Sequence, residues 1–458
     1  MLELEDARPI SRPAPNRGTS PRVTAVSIIA WASLVALGSL LVYRAMVSTG
    51  RSLHDATPLH ATIDPRATIG IVVSLAVAML AVRYGPRLAL TLAWGSLLRV
   101  SWLSAAAWAC SLAAIRGWHR LAAPLEHPGE YLAVLPRVHA LGDFLGGYAD
   151  NIASFPVHVQ GHPPGFVMVA WTLQAIGLGG AWPLAALCVL AGAAAVPAVL
   201  VTVREVAGSE AARRCAPFLI LAPAAILIAT SADALFTGVG AWAVALLVLA
   251  TGRRDRRADL LAVGGGVLFG VAAFLSYGLV LLAVIPLVIA GRRRRIRPIL
   301  LAGAGALAVF ATFLAAGFWW FDGLAATRVR YFVGIARHRP YAVYIVANLA
   351  SFAVVLGPAI APALARLRDR KLWLVVGGGL LAVALADVSG MSKGEVERIW
   401  LPFAPFVLAA TAALWPCNAS VRGGTNPSQV FSRQGIQLWL TVQVGFAIAL
   451  EALVRTAW

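Results

Sequence analysis

The residues able to do chemistry are unevenly spread along this chain. Between Arg116 and Gly165 lie Glu126, Glu130, Asp143 and Asp150, four of its 20 acidic residues, and His119, His127, His139, His158 and His162, five of its 8 histidines. The stretch closes on Gly161-His162-Pro163-Pro164-Gly165, at the mouth of an apolar segment. Carboxylates and imidazoles gathered in one polar loop can move protons or recognise a charged ligand. Glu130 and Glu126, separated by His127-Pro128-Gly129, are the candidates for a general base, with Glu126 the reserve. Asp143 and Asp150 can orient that base or bind an acceptor; as plain structure they are helix caps or surface acids. His162 precedes two prolines that restrict the backbone, and it can contact a phosphate or simply cap the segment that follows. The spacing of the five histidines matches none of the usual zinc patterns.

Three further places carry charge where an apolar chain would not waste it. Asp233 follows Thr230-Ser231 where two apolar runs meet. A carboxylate at membrane depth is costly and faces a cavity or a partner, unless it serves as a helix cap at a turn. Arg328, Arg330, Arg337 and Arg339 crowd a second polar loop at 319–340, and guanidinium forks suit phosphate. Lys393-Gly394-Glu395-Val396-Glu397-Arg398 opens a late apolar run; there Arg398 is a candidate phosphate ligand with Glu397 as its partner.

The elements that must hold these groups are membrane helices. Of 458 residues, 60% are hydrophobic and 13% charged, with a mean hydropathy of +0.79; a soluble domain carries about 25% charged residues. Apolar runs of about 20 residues recur throughout, each long enough to cross a bilayer as a helix. They do not alternate, which excludes a lipid-exposed β-barrel. The net charge of +18 comes from basic clusters in short loops, such as 253–257 and 292–297. That is the positive-inside pattern, and no basic stripe interleaved with aromatics points to nucleic acid. Cys110, Cys188, Cys215 and Cys417 are scattered, with no pairing or metal spacing.

In order, residues 1–22 read as a disordered cytoplasmic tail and 23–458 as a single transmembrane domain, all α-helical, with about 13 spans. Arg83 and Arg87 bracket Tyr84-Gly85-Pro86, read as a tight turn between the second and third runs. One span is expected at 341–364. Charge counting puts the N-terminus inside and the 116–165, 319–340 and 389–398 segments on one outer face of the cell membrane. The two halves of that count agree only if 164–252 crosses an odd number of times, so one of its four apolar runs must be irregular. No internal repeat is evident, which disfavours an inverted-repeat transporter.

The order of Glu130-Tyr131, Ala140-Leu141-Gly142-Asp143-Phe144, His162-Pro163-Pro164-Gly165 and Gly394-Glu395-Val396-Glu397-Arg398-Ile399-Trp400-Leu401-Pro402-Phe403 resembles the GT-C superfamily of integral-membrane glycosyltransferases. Its members include protein O-mannosyltransferases and the lipid A aminoarabinose transferase, and the last segment resembles uncharacterised bacterial proteins grouped with them. The resemblance spans about residues 90–410. It implies a polyprenyl-phosphate sugar as donor, a large first outer loop with short interfacial helices, and an outer-loop carboxylate as base. The acceptor would be a cell-envelope glycan, lipid or protein, among membrane lipids. The family's paired Asp-Glu or Asp-Asp is replaced here by Glu126 and Glu130, four residues apart. Such transfer needs a base at the acceptor hydroxyl and a cation at the leaving phosphate, which arginines or a divalent metal can supply. Two readings from other classes stand beside it: a transporter or flippase for a lipid-linked or anionic substrate, and a non-catalytic envelope-assembly scaffold.

Overall fold

In the computed structural model, which describes residues 21–48, 56–66, 68–415 and 427–456, nine helices are long and apolar enough to cross a bilayer. They are α1 (Pro21–Ser48), α2 (Gly70–Thr91), α3 (Trp94–Ala114), α4 (Ala181–Ala207), α5 (Ala232–Thr251), α6 (Arg256–Leu275), α7 (Arg297–Ala315), α8 (Val396–Leu414) and α9 (Gly435–Leu453). Tyr341–Leu356 and Ile360–Arg366 form a bent pair, and Gly165–Ala175 and Leu372–Val388 are shorter apolar helices. The fold is all-α and polytopic. One two-stranded antiparallel ribbon, Ala61–Ile63 with Val454–Thr456, ties the early chain to its end, in the register Thr62 opposite Arg455. Most of the tail at 1–22 and of the 417–435 loop, Cys417 included, lies outside the described residues.

Apolar helices in lipid have little hydrophobic reason to prefer one another, so close approach of small residues does the packing. At Gly266 of α6 a Cβ would lie 2.0 Å from the Ala302 carbonyl oxygen of α7; at Gly305 it would lie 2.5 Å from that of Val263. The innermost helices are α5 and α8, most of whose length is enclosed. Each opens at the same end of the bundle with a buried charged residue, Asp233 and Arg398.

Polar contacts define the two ends. At one, the Thr230 hydroxyl donates to Leu121 O, Thr327 to Gln160 O, and Lys393 N to the Tyr331 oxygen. The 116–165, 319–340 and 389–398 segments therefore meet on one face. At the other end Arg213 reaches the carbonyls of Ala89 and Leu92, Arg293 that of Glu205, and Arg297 the Asp259 carboxylate. The basic loops gather there.

Residues 164–252 resolve the irregular run. Helix α4 carries the chain down to Arg204, whose guanidinium sits 4.4 Å over the Trp94 ring at the basic end. Ser209–Ile220 and the 3-10 turn Pro223–Leu227 carry it back to Thr230, and α5 returns it again. The chain thus runs between the two ends three times; α4 and α5 are the two of these stretches long and apolar enough to cross a bilayer, and Gly165–Ala175 is a short apolar helix beside the loop.

Two boundaries differ from expectation. Tyr84-Gly85-Pro86 is not a turn: α2 runs through Pro86 to Thr91, and the break comes at Leu92 and Ala93, both extended. Breaking a helix inside an apolar bundle strands more backbone groups than the one N–H that proline removes. The expected span at 341–364 bends by 95° at Gly357, where φ is +79°. The Gln443 amide satisfies the opened backbone, donating to Leu356 O and accepting from Ala359 N.

Candidate active site

Glu130 stands just before a 3-10 helix, Tyr131–Arg137, in extended conformation. The His127-Pro128-Gly129 turn presents it, closed by Glu130 N donating to His127 O at 2.8 Å. A second short helix, Val157–Gly161, is docked alongside through His158 N donating to Gly129 O. These two turns bring His158 Nδ1 to 2.6 Å from Glu130 Oε1. Tyr148 fixes the second turn from below, its hydroxyl oxygen 2.6 Å from Val159 O and 2.7 Å from His162 O.

The other half comes from α5 and α8. Arg398 lies in the first turn of α8, entered through Gly394 (φ +80°) and Glu395 (φ +63°). Its Nη1 is 3.3 Å from Glu130 Oε1, its Nη2 3.1 Å from His158 Nδ1, and its Nε 2.9 Å from Asp233 Oδ2. Four charged or titratable side chains from four separate segments thus converge, and Glu130, Asp233 and Arg398 are buried. The second oxygen of Glu130, Oε2, has no hydrogen-bond partner among the described residues. Burial alone pushes the Glu130 carboxyl up, but the His158 hydrogen bond and the charge of Arg398 more than offset it, so its pKa lies below the ordinary carboxylate value. An ionised carboxylate with one committed oxygen and one uncommitted oxygen is suited to taking a proton.

Tyr131 and His162 line the same place. The Tyr131 ring packs edge-on to Phe166 at 4.6 Å and sits 6.1 Å from the His162 ring. Burial, then the charge of Arg398, pushes the His162 pKa down to about 3, so the ring is neutral. Neither the Tyr131 hydroxyl nor His162 Nδ1 has a hydrogen-bond partner among the described residues.

A polar brace sets the α8 entrance. Arg339 Nη2 holds Glu395 Oε1 at 2.8 Å and its Nη1 donates to Lys393 O. Asn348 donates to Asp387 Oδ1 and Ser392 O and accepts from Gly394 N. Glu397 is buried but turns away from Arg398, accepting instead from His60 N at 2.9 Å. This corrects the expected Glu397–Arg398 pairing: adjacent residues on a helix point in different directions. The Arg398 side chain is 6% exposed and held by two carboxylates.

The structure thus brings together Glu130, Asp233, Arg398 and His162. Glu126, Asp143 and Asp150 are exposed, as are Arg328 and Arg337. Arg330 is half-buried, its Nε donating to Gln160 Oε1. Asp233 is not the N-cap of its helix, a position that Ser231 holds; it lies in the first turn. His158 escaped individual notice in the sequence; its one signal is the four-residue spacing to His162 across a Gln-Gly pair. Among the described residues no three His, Cys, Asp or Glu side chains are grouped so as to hold a metal ion, and the cluster's positive charge comes from Arg398.

No family model matches the sequence, and no curated protein does. Among solved structures, the apo crystal structure of ArnT from Cupriavidus metallidurans is similar at 14% identity and a TM-score of 0.42, over 68% of this chain and 72% of that one. Function is accordingly read from the side chains.

Proposed function

We propose that this chain is a membrane glycosyltransferase that moves a sugar from a polyprenyl-phosphate-linked donor to a hydroxyl of a cell-envelope acceptor on the outer face. The observation that carries the reading is Glu130: a buried carboxylate, tied by Oε1 to His158 and Arg398, with Oε2 unengaged. In this reading Oε2 takes the proton of the acceptor hydroxyl as that oxygen bonds the anomeric carbon. The bond from that carbon to the phosphate oxygen breaks, and the lipid phosphate leaves with the electron pair. His158 and Arg398 keep Glu130 ionised and aimed. The exposed Arg328 and Arg337, with Arg330 beside Gln160, are the cations within the neighbouring loop that can meet the departing phosphate. The basic loops at the opposite end support the outer placement.

A transporter would be expected to carry its charges near mid-membrane on paired halves. Here they sit where α5 and α8 begin, under a polar loop, which favours chemistry over passage. The test uses the purified chain in lipid nanodiscs with a polyprenyl-phosphate donor carrying a labelled sugar and a membrane extract as acceptor. Label appearing on acceptor with release of free polyprenyl phosphate supports the transferase. Label crossing the bilayer of proteoliposomes still attached to its phosphate would replace it with the transporter reading.

A further inference from the structure

The guanidinium of Arg398 is divided unequally. Its Nε edge lies 2.9 Å from Asp233 Oδ2, while Nη1 is 3.3 Å from Glu130 Oε1. Asp233 is therefore the nearer carboxylate, held as an ion pair, while Nη1 donates its hydrogen bond to Glu130; Asp233 reaches Arg398 from α5, outside the polar loop. Its side chain is 3% exposed and that of Arg398 6%, so neither charge is screened by water and each feels the other strongly. We propose that Asp233 is a positioning residue acting through Arg398: by holding the Nε edge it keeps the guanidinium from closing fully on Glu130, and so leaves Glu130 basic enough to accept a proton.

The inference rests on the transferase reading only for its consequence in turnover; the coupling itself is a property of the buried cluster. Among the described residues, the groups that face Glu130 and Arg398 include His158 from the Val157–Gly161 helix, Tyr131 from the 3-10 helix, His162 at the entrance of the next helix, Asp233 from α5 and Glu395 from the turn before α8. Among these groups Asp233 combines a charge opposite to Arg398 with a contact on the edge away from Glu130. Removing that charge acts on Glu130 twice in the same direction. It deletes a nearby negative charge, which had favoured protonation of Glu130, and it releases Arg398 toward Glu130, which favours ionisation. Both lower the pH at which Glu130 takes up a proton. A carboxylate made less basic is a weaker general base.

The experiment is an isotope-edited infrared titration of the protein in nanodiscs, following the protonated carboxyl band that disappears in Glu130→Gln. In Asp233→Asn the midpoint of that band should fall by about one pH unit, the size expected when a nearby like charge is removed and the shared Arg398 charge is freed for Glu130. In Asp233→Glu, which keeps the charge, it should stay near the parent value. If Asp233→Asn does not insert stably, Arg398→Lys supplies the second arm: lysine cannot span both carboxylates with one fork, so the Glu130 midpoint should move away from the parent value, and an unmoved midpoint would overturn the inference. An unmoved midpoint in a folded Asp233→Asn protein, or equal shifts in the Asn and Glu variants, would overturn the inference and leave Asp233 as a structural ion-pair partner. A moved midpoint in a protein that transfers no sugar would keep the coupling and reject the transferase.

Discussion

His158 Nδ1 lies 2.6 Å from Glu130 Oε1, and the contact is made by two turns that also hold each other through His158 N and Gly129 O. A separation that short needs a proton between the atoms, so the imidazole Nδ1–H donates to the carboxylate. This bond is the chief influence holding the Glu130 pKa down against burial. In His158→Ala the bond goes and burial gains ground, so Glu130 should titrate at higher pH. The acid limb of activity should shift upward, opposite in sign to the shift expected for Asp233→Asn. A pH–rate profile on His158→Ala checks it, and a limb displaced to lower pH would contradict the arrangement.

Glu130→Gln keeps the shape of the side chain and removes its proton affinity. Loss of a general base typically costs about 100- to 10,000-fold in rate, and transfer should fall by that much with monodisperse protein still recovered. Glu126→Gln, at an exposed position four residues away, should stay within about threefold of the parent. Labelled-sugar transfer measured side by side on the two variants decides between the carboxylates.

How much of this was legible in the sequence depended on whether the signal was local. Apolar runs announced the helices because a bilayer accepts little else, and Glu130 and His162 stood out as polar residues flanked by turn-forming prolines and glycines. Asp233 stood out because a carboxylate beside an apolar run is costly. Its partner was not legible: Arg398 is 165 positions away, and only the packing of α5 against α8 brings them together. The Glu397–Arg398 pairing looked natural in one dimension and fails in three, because the helix turns Glu397 toward His60. The break at Gly357 was hidden for a similar reason, since Gln443, whose amide makes it tolerable, arrives from α9.

Gly165 positions His162 by letting two backbones touch. A Cβ there would fall 2.2 Å from the Phe274 carbonyl oxygen, and backbone cannot step aside as a flexible side chain can. Gly165→Ala should lower the thermal midpoint in detergent and reduce transfer together, as the 157–165 segment is pushed off α6. Gly161→Ala adds the same methyl with nothing within 4 Å and should leave both nearly unchanged. Equal behaviour of the two variants would remove the close contact with Phe274 as the reason for glycine.

The brace at the α8 entrance makes a stability prediction with a definite sign in pH. Glu395 is pushed up by burial, but the Arg339 charge and hydrogen bond outweigh that and hold its carboxyl below the ordinary value. Glu130 is displaced in the same direction by His158 and Arg398. A carboxylate whose folded pKa is depressed stabilises the fold fully above the unfolded value, about 4.3 for glutamate, and loses that contribution as pH falls through the folded pKa. The contribution of these two carboxylates to the parent's stability should therefore be full from neutral pH down to about 5 and be lost below it. Arg339→Ala leaves Glu395 in a mostly enclosed place without its cation. Breaking such a buried pair costs about 3–5 kcal/mol, and the lower end suits Glu395, whose side chain is 25% exposed. With Arg339 gone, burial raises the Glu395 pKa, so Arg339→Ala should be destabilised most at neutral pH and approach the parent as both are acidified. The measurement is thermal unfolding in detergent at a series of pH values. A deficit in Arg339→Ala that grows as pH falls would reject the ion-pair account.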